Sequence, residues 1–485
     1  MGVEGLDDIL EGGLPRNRLY LLQGDPGVGK TTLAMQFLLE GARRGETGLY
    51  ITLSETKEEL EAVAKSHGWD LGSIHLFELS AIAEQLRGEA ESTFFHPSEV
   101  ELNRTITTLL DRVEKVKPAR VVFDSLSEMR MLAETALRYR RQILQLKQFF
   151  AGRECTVLLL DDRSSGTHDL KVESIAHGVI SLQRWSPDYG VSRRQLSVVK
   201  IRGSKFREGN HDLILRTGGM VVFPRLVAAE RPAAFERESF PSGIPALDAL
   251  LGGGLDRGTS NMIMGPPGTG KSTLALKFGL VAAERGEKAL FFLFDESEGT
   301  LLARAASLGM DLEPHLKSGM IELVRVNPAE ISPGQLADGI RCKVAAGARV
   351  VVIDSINGYL NAMLAERHLN LQLHELLSYL GQRGVITIMV LAQQGLVGQM
   401  QSAVDLTYLA DTVVLMRFFE ARGAVRQALS IIKKRSGNHE RTIREIRIAK
   451  HGLEVGPPLE NFQGVLSGIP TLVTDQPGPH DAAVV

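Results

Sequence analysis

Cysteine is almost missing: Cys155 and Cys342 are the only two in 485 residues, far apart and outside any CxxC or Cys/His cluster. That excludes a disulfide scaffold and a zinc module and fits a reducing compartment. Both thiols are expected to be small buried hydrophobes. No apolar run nears the ~18 residues of a membrane-spanning helix; the longest, residues 385–392, has strand length. Charge of one sign is lacking too. With 55 basic against 58 acidic residues and a formal net charge of −3, the overall balance calls for neither a nucleic acid nor a membrane surface. The opening Met1-Gly-Val-Glu-Gly-Leu-Asp-Asp8 is too acidic for a signal peptide, and Leu6 stands where myristoylation needs Ser or Thr. A cytoplasmic protein without a membrane partner is expected. Hydrophobic residues at 44% and charged residues at 23% are ordinary for a globular chain, whose length allows two to four domains of roughly 150 residues.

The chain is written twice. Gly24-Asp-Pro-Gly-Val-Gly-Lys-Thr-Thr-Leu-Ala-Met-Gln-Phe37 returns as Gly265-Pro-Pro-Gly-Thr-Gly-Lys-Ser-Thr-Leu-Ala-Leu-Lys-Phe278, identical at 9 of 14 positions. Leu6-Asp7 matches Leu247-Asp248, and Gly68-Trp-Asp-Leu71 matches Gly309-Met-Asp-Leu312, at the same shift of 241. Val121-Val-Phe-Asp-Ser125 matches Val351-Val-Ile-Asp-Ser355 at 230, and Lys200-Ile-Arg202 matches Lys433-Lys-Arg435 at 233. Colinear matches with small net deletions mean duplication of a whole domain. A first domain is expected over 1–223, a linker punctuated by Pro224, Pro232 and Pro241 over 224–240, a second domain over 241–462 and a tail over 463–485. In each copy apolar runs of strand length (19–23, 48–53, 120–123 and 156–160; then 261–264, 289–294, 350–353 and 385–391) alternate with helical stretches such as 129–150 and 369–380. That alternation predicts α/β architecture, with a mainly parallel, doubly wound sheet in each half.

GxxxxGK[ST] occurs in both halves. The first cradle is Gly24, Asp25, Pro26, Gly27, Val28, Gly29, Lys30 and Thr31, followed by Thr32; the second is Gly265, Pro266, Pro267, Gly268, Thr269, Gly270, Lys271 and Ser272, followed by Thr273. Glycines let backbone N–H groups converge on phosphate oxygens, and the following helix turns its positive end to the same anion. Lys30 and Lys271 then meet the terminal phosphates, while Thr31 and Ser272 offer a hydroxyl to Mg²⁺. Asp124 and Asp354 each end an apolar strand, where a carboxylate serves as the second anchor for the metal. Glu55 and Glu296 both stand 25 residues after their lysine, just past the second strand, as groups that ready the attacking water. Each half is thus expected to bind and hydrolyse a nucleoside triphosphate. Lys200 with Arg202, and Lys433 with Arg435, lie two apart in strand-like runs, so each pair projects from one face; their recurrence points to phosphate, as fingers towards a neighbouring subunit.

Together these residues resemble the KaiC-like branch of the RecA-type ATPases, over about residues 2–470. The family's lobe opener is matched by residues 2–14 and again by 243–255. The resemblance implies two tandem RecA-like P-loop domains assembled as a double-ring homohexamer, with ATP at subunit interfaces, slow hydrolysis and Ser/Thr autophosphorylation in the second ring. It carries the family's paired catalytic carboxylates onto Asp295 and Glu296, and onto Ser54 and Glu55 in the first half. It also carries the acceptor segment onto 401–412, where Thr407 and Tyr408 replace the adjacent Ser-Thr pair and Ser402 replaces an earlier threonine. A γ-phosphate sensor falls at Gln393 and Gln394, and residues 464–471 match a tail that turns back along the ring. A Kai-type or other signalling protein is the implied partner. The competing reading is a nucleic-acid-dependent motor of RecA or RadA type, disfavoured by the near-neutral charge; salt-sensitive DNA binding would separate the two. A third, a scaffold whose ATP only holds the ring together, predicts assembly without phosphate release.

Overall fold

The computed structural model describes residues 1–78, 97–133, 135–163, 172–187, 190–228, 234–327, 329–362, 368–393, 395, 406–450, 452–467 and 471–472. The chain divides into two compact units, Met1–Arg225 and Leu226–Val485. In the first unit nine strands run as β1 Leu19–Gly24, β2 Gly48–Thr52, β3 Ile74–Glu78, β4 Arg120–Asp124, β5 Thr156–Asp162, β6 Gly178–Trp185, β7 Arg193–Ile201, β8 Asn210–Arg216 and β9 Gly219–Phe223. They lie side by side in the order 3-2-4-5-1-6-7-8-9. Pairing is parallel from β3 through β6 and antiparallel from β6 through β9.

The second unit repeats this plan. A short ribbon of β10 Ser239–Phe240 and β11 Leu255–Asp256 precedes β12 Ser260–Gly265, β13 Lys288–Leu293, β14 Ile321–Arg325, β15 Ala348–Asp354, β16 Ile386–Ala392, β17 Thr412–Ala421, β18 Ala424–Lys434, β19 Arg444–Ala449 and β20 Gly452–Pro458. The sheet order 14-13-15-16-12-17-18-19-20 is that of the first sheet, strand for strand. The expected α/β class and two doubly wound, mainly parallel sheets are present.

The unbroken apolar runs reflect burial on both faces. In the first unit Tyr20, Leu22, Tyr50 and Val122 pack with Leu33 and Phe37 of the helix Lys30–Arg43. Their neighbours Leu19, Leu21, Leu49 and Val121 point the other way, onto Leu109, Ile143 and Leu146 of the helices Pro97–Val116 and Ala136–Phe150. Each such side chain contributes about 1.5–3 kcal/mol by leaving water. The consequence for function is rigidity: β1 and β12 are held from both sides, so the turns at their C-terminal ends are fixed in space.

Some expectations need correction. The single helix expected over 129–150 is two, Leu126–Leu132 and Ala136–Phe150, the second starting where Thr135 Oγ1 accepts the N–H of Arg138 at 3.4 Å. Cys155 is buried as expected, but Cys342 is exposed. The stretch before the second domain is no free linker at its end: Phe240 is fully buried, and Glu238 forms an ion pair with Arg257 at 2.7 Å. In the tail, Phe462–Gln463 pairs with Thr471–Leu472, and residues 473–485 lie outside the described residues.

His211 on β8 is expected to make the first unit acid-sensitive. It is 0% exposed; its Nδ1 accepts from the N–H of Arg225 at 2.9 Å, and its Nε2 lies 3.1 Å from the Arg207 carbonyl. Burial pushes its pKa down to about 4, so the unfolded chain takes up the proton first. Stability should therefore be complete above the unfolded pKa near 6.5 and fall as pH drops from there to about 4, by up to about 3 kcal/mol. Both tryptophans, Trp69 and Trp185, lie in this unit, so urea unfolding followed by tryptophan fluorescence reads it selectively. The acid-induced fall should shrink in His211→Gln; an undiminished fall would assign the effect to other groups.

Candidate functional site

Each phosphate loop sits where β1 or β12 turns into a helix. Gly29 and Gly270 occupy the N-cap positions in the left-handed region, with φ of 111° and 93°, which a side chain would disfavour. No side chain caps either helix, so the first N–H groups stay available to an anion. Close backbone approach also fixes the loop heads. A Cβ at Gly24 would come within 2.6 Å of the Leu182 carbonyl, and one at Gly265 within 2.1 Å of the Met416 carbonyl.

In the first unit, Lys30 is 8% exposed and its Nζ donates to the carbonyls of Gly24 at 2.9 Å and Asp25 at 3.0 Å. The same ammonium pairs with Asp162 Oδ1 at 2.7 Å. Thr31 Oγ1 donates to Asp124 Oδ2 at 3.1 Å, and the Tyr50 hydroxyl donates to that same oxygen. Asp124 is thus brought to the loop although β5 lies between β4 and β1; burial raises its pKa, against the hydrogen bonds from Tyr50 and Thr31. It does not cap the next helix, for which Ser125 is the N-cap residue. Glu55 lies just past β2, and its Oε2 is buried without a hydrogen-bond partner. Burial, then the charges of Asp124 and Glu59, raise its pKa to about 7, opposed by Lys30.

The second unit keeps the frame and changes the contacts. Lys271 Nζ donates to the Pro266 carbonyl at 2.7 Å, and Thr269 Oγ1 to the same carbonyl at 2.9 Å. Burial brings the Lys271 pKa down to about 8, with Asp354 opposing. Burial raises the Asp354 pKa, while the hydrogen bond from Ser272 lowers it. Asp295 accepts a hydrogen bond from Ser355 Oγ, which itself accepts from the N–H of Gly358 at 3.2 Å. Glu296 is paired with Arg304 at 2.6 Å. Gln393 reaches the loop through its N–H, 3.0 Å from the Gly265 carbonyl, and its Oε1 is buried without a partner. Gln394 lies outside the described residues.

The two cationic pairs stand elsewhere, at the opposite ends of the parallel strands. A bulge lies after Val179, which faces Lys200, and another after Val413, which faces Lys433. Arg202 and Arg435 lie one residue past the ends of β7 and β18, so the expected single strand face is interrupted. Arg202 Nη2 donates to the Ser174 carbonyl at 2.9 Å; burial lowers the pKa of Lys200. Lys433 Nζ donates to the carbonyls of Thr407 at 2.9 Å and Ala410 at 2.7 Å, and Arg435 Nη2 to that of Tyr408 at 2.8 Å. Within one chain the cations therefore grip the turn that carries Thr407. Ser402 lies outside the described residues.

Reading by motif missed Asp162, Tyr50 and Arg304. A signal was present in the repeat itself. At the shift of 241, Tyr50 meets Phe291 and Arg304 meets Val63, and the sheet register sets Asp162 against Ala392. Positions where two copies of one frame disagree beside the same loop are where their chemistry differs.

Two RecA-like P-loop domains in tandem, each with lysine, hydroxyl and carboxylate gathered at the end of a parallel strand, define an ATP-binding ATPase. The family model for the ATPase KaiC matches residues 1–227 and 240–460, and the chain belongs to that family. It is 27% identical over 97% of its length to the circadian clock oscillator protein KaiC of Parathermosynechococcus lividus, covering 88% of that protein. To the proteins of the same name from Synechococcus elongatus and Prochlorococcus marinus it is 26% identical, over 97% and 98% of this chain and 91% and 95% of theirs. Among the described residues no helix is long and apolar enough to cross a membrane.

Proposed function

We propose that both units hydrolyse ATP and that the second also passes a γ-phosphoryl group to the hydroxyl of Thr407, within a cytoplasmic homohexamer that signals to a protein partner. The observation that carries the hydrolytic part is the buried, partnerless Oε2 of Glu55, a carboxylate oxygen left to accept the hydrogen of a water. In this reading Lys30 and Lys271 meet the terminal phosphates. Thr31 with Asp124, and Ser272 with Asp354, would hold Mg²⁺; hard oxygen donors suit that ion. Bound there, the ion would neutralise charge on the phosphates. Glu55 and Glu296 take a proton from the attacking water, and Asp295, beside Glu296, takes that of the Thr407 hydroxyl.

The position of Thr407 supports transfer between chains. Asp411, at the end of its turn, bonds to Ser260 at the start of β12, whereas the phosphate loop begins at Gly265 at the other end. The strand separates them by about 17 Å, at about 3.3 Å per residue, so a loop cannot serve the hydroxyl of its own unit. A second copy must bring them together, with Lys433 and Arg435 setting the turn. Incubation with Mg-ATP labelled at the γ-phosphate should yield a phosphopeptide carrying Thr407 and a native mass of six chains. Thr407→Ala and Lys271→Ala chains should each fail to label alone and label when mixed. Absence of label over residues 401–412 overturns the kinase reading, and turnover that rises with DNA and collapses with salt would favour the motor.

A further inference from the structure

Glu296 holds the place of Glu55 in the repeat, but its surroundings are different. One guanidinium takes both of its oxygens: Arg304 Nη2 lies 2.6 Å from Oε2 and Nε 3.3 Å from Oε1. The third nitrogen, Nη1, donates to Thr273 Oγ1 at 2.9 Å, one residue beyond Ser272 on the phosphate-loop helix. Arg304 rides on the helix Glu298–Ser307, whose start is capped by Ser297 Oγ accepting from Thr300, so its distance from Glu296 is set by a stiff element. In the first unit the same helix is Lys57–Ser66, in register through the buried pairs Leu60 with Leu301 and Ala64 with Ala305. Position 63 there is Val, and Glu55 Oε2 has no partner.

We propose that Arg304 is a positioning residue that fastens Glu296 to Thr273 and so slows attack by water in the second unit, keeping its ATP intact for transfer to a hydroxyl. The inference rests on the reading of Glu55 and Glu296 as the water-readying acids. Hydrolysis forms a bond from water oxygen to the γ-phosphorus, breaks the one to the bridging oxygen of ADP and delivers a water proton to the glutamate. A carboxylate held side-on by a guanidinium has its best lone pairs already engaged, in the strongest geometry open to such a pair. Lysine, a single point of charge, cannot reproduce that grip.

The test uses the full chain with Glu55→Gln, in which phosphate release reports the second unit. Adding Arg304→Val, the residue of the first unit, should raise release about tenfold with KM for ATP unchanged. Arg304→Lys should fall between the two. Unchanged or slower release from an Arg304→Val chain that still binds ATP overturns the inference. Should that chain not fold, Val63→Arg in a Lys271→Ala chain asks the same of the first unit: release should drop about tenfold, and no drop overturns it. Glu296→Gln in the Glu55→Gln chain separates the two levels. If it leaves release unchanged, the acid role itself is refuted; if it lowers release while Arg304→Val does nothing, only the role of Arg304 is.

Discussion

Replacing Glu55 by Gln should leave the first unit loaded with ATP and slow its hydrolysis roughly 10² to 10⁴-fold. The substitution keeps the shape and removes the oxygen that accepts a proton. It touches neither Lys30 nor the Thr31–Asp124 contact at 3.1 Å, so binding should survive. The effect is expected to be large because the surroundings of Glu55 suit the base role proposed for it. Burial and neighbouring acids bring its pKa to about 7, near the working pH, where a general base is most effective. Phosphate release from a Lys271→Ala chain, with and without Glu55→Gln, gives the rate; chromatography of the nucleotide released on denaturation gives occupancy. Unaltered release would move the base to another residue.

Lys271→Ala should empty the second unit and abolish label at Thr407, while turnover in the first unit continues. Lys271 is 7% exposed and bonded by Nζ to the Pro266 carbonyl. Its removal takes away the one cation of that loop's own sequence and leaves the folded loop otherwise intact. Counting bound nucleotide per chain should show one site where the unaltered protein has two. Loss of both activities together would mean that the two units do not work independently.

Much of the site is legible in the residues alone. Both cradles, Asp124, Asp354, Glu55 and Glu296 announce themselves by spacing, because strand, turn and helix are local and each fixes its own geometry. The apolar runs mark the strands for the same reason, burial on two faces. The contacts that make the two halves unlike are not legible by motif. Asp162 reaches Lys30 only because β5 inserts beside β1, and Arg304 reaches Glu296 from the next helix; neither can be read from spacing in one copy. The break before Ala136 is hidden because a continuing apolar pattern conceals Thr135, a good helix-starting residue in the middle of it. Alternation places Arg202 and Arg435 on a strand face, which the bulges beside Lys200 and Lys433 interrupt.

Lys30 and Asp162 are paired at 2.7 Å; if Lys30 meets the terminal phosphates as proposed, a triphosphate in the first unit competes there with an internal carboxylate. Entry becomes an exchange of one anion for another. The second unit has Ala392 at that place, and its Lys271 Nζ donates to the backbone carbonyl of Pro266. Occupancy should therefore turn over more freely in the first compartment and be held longer in the second.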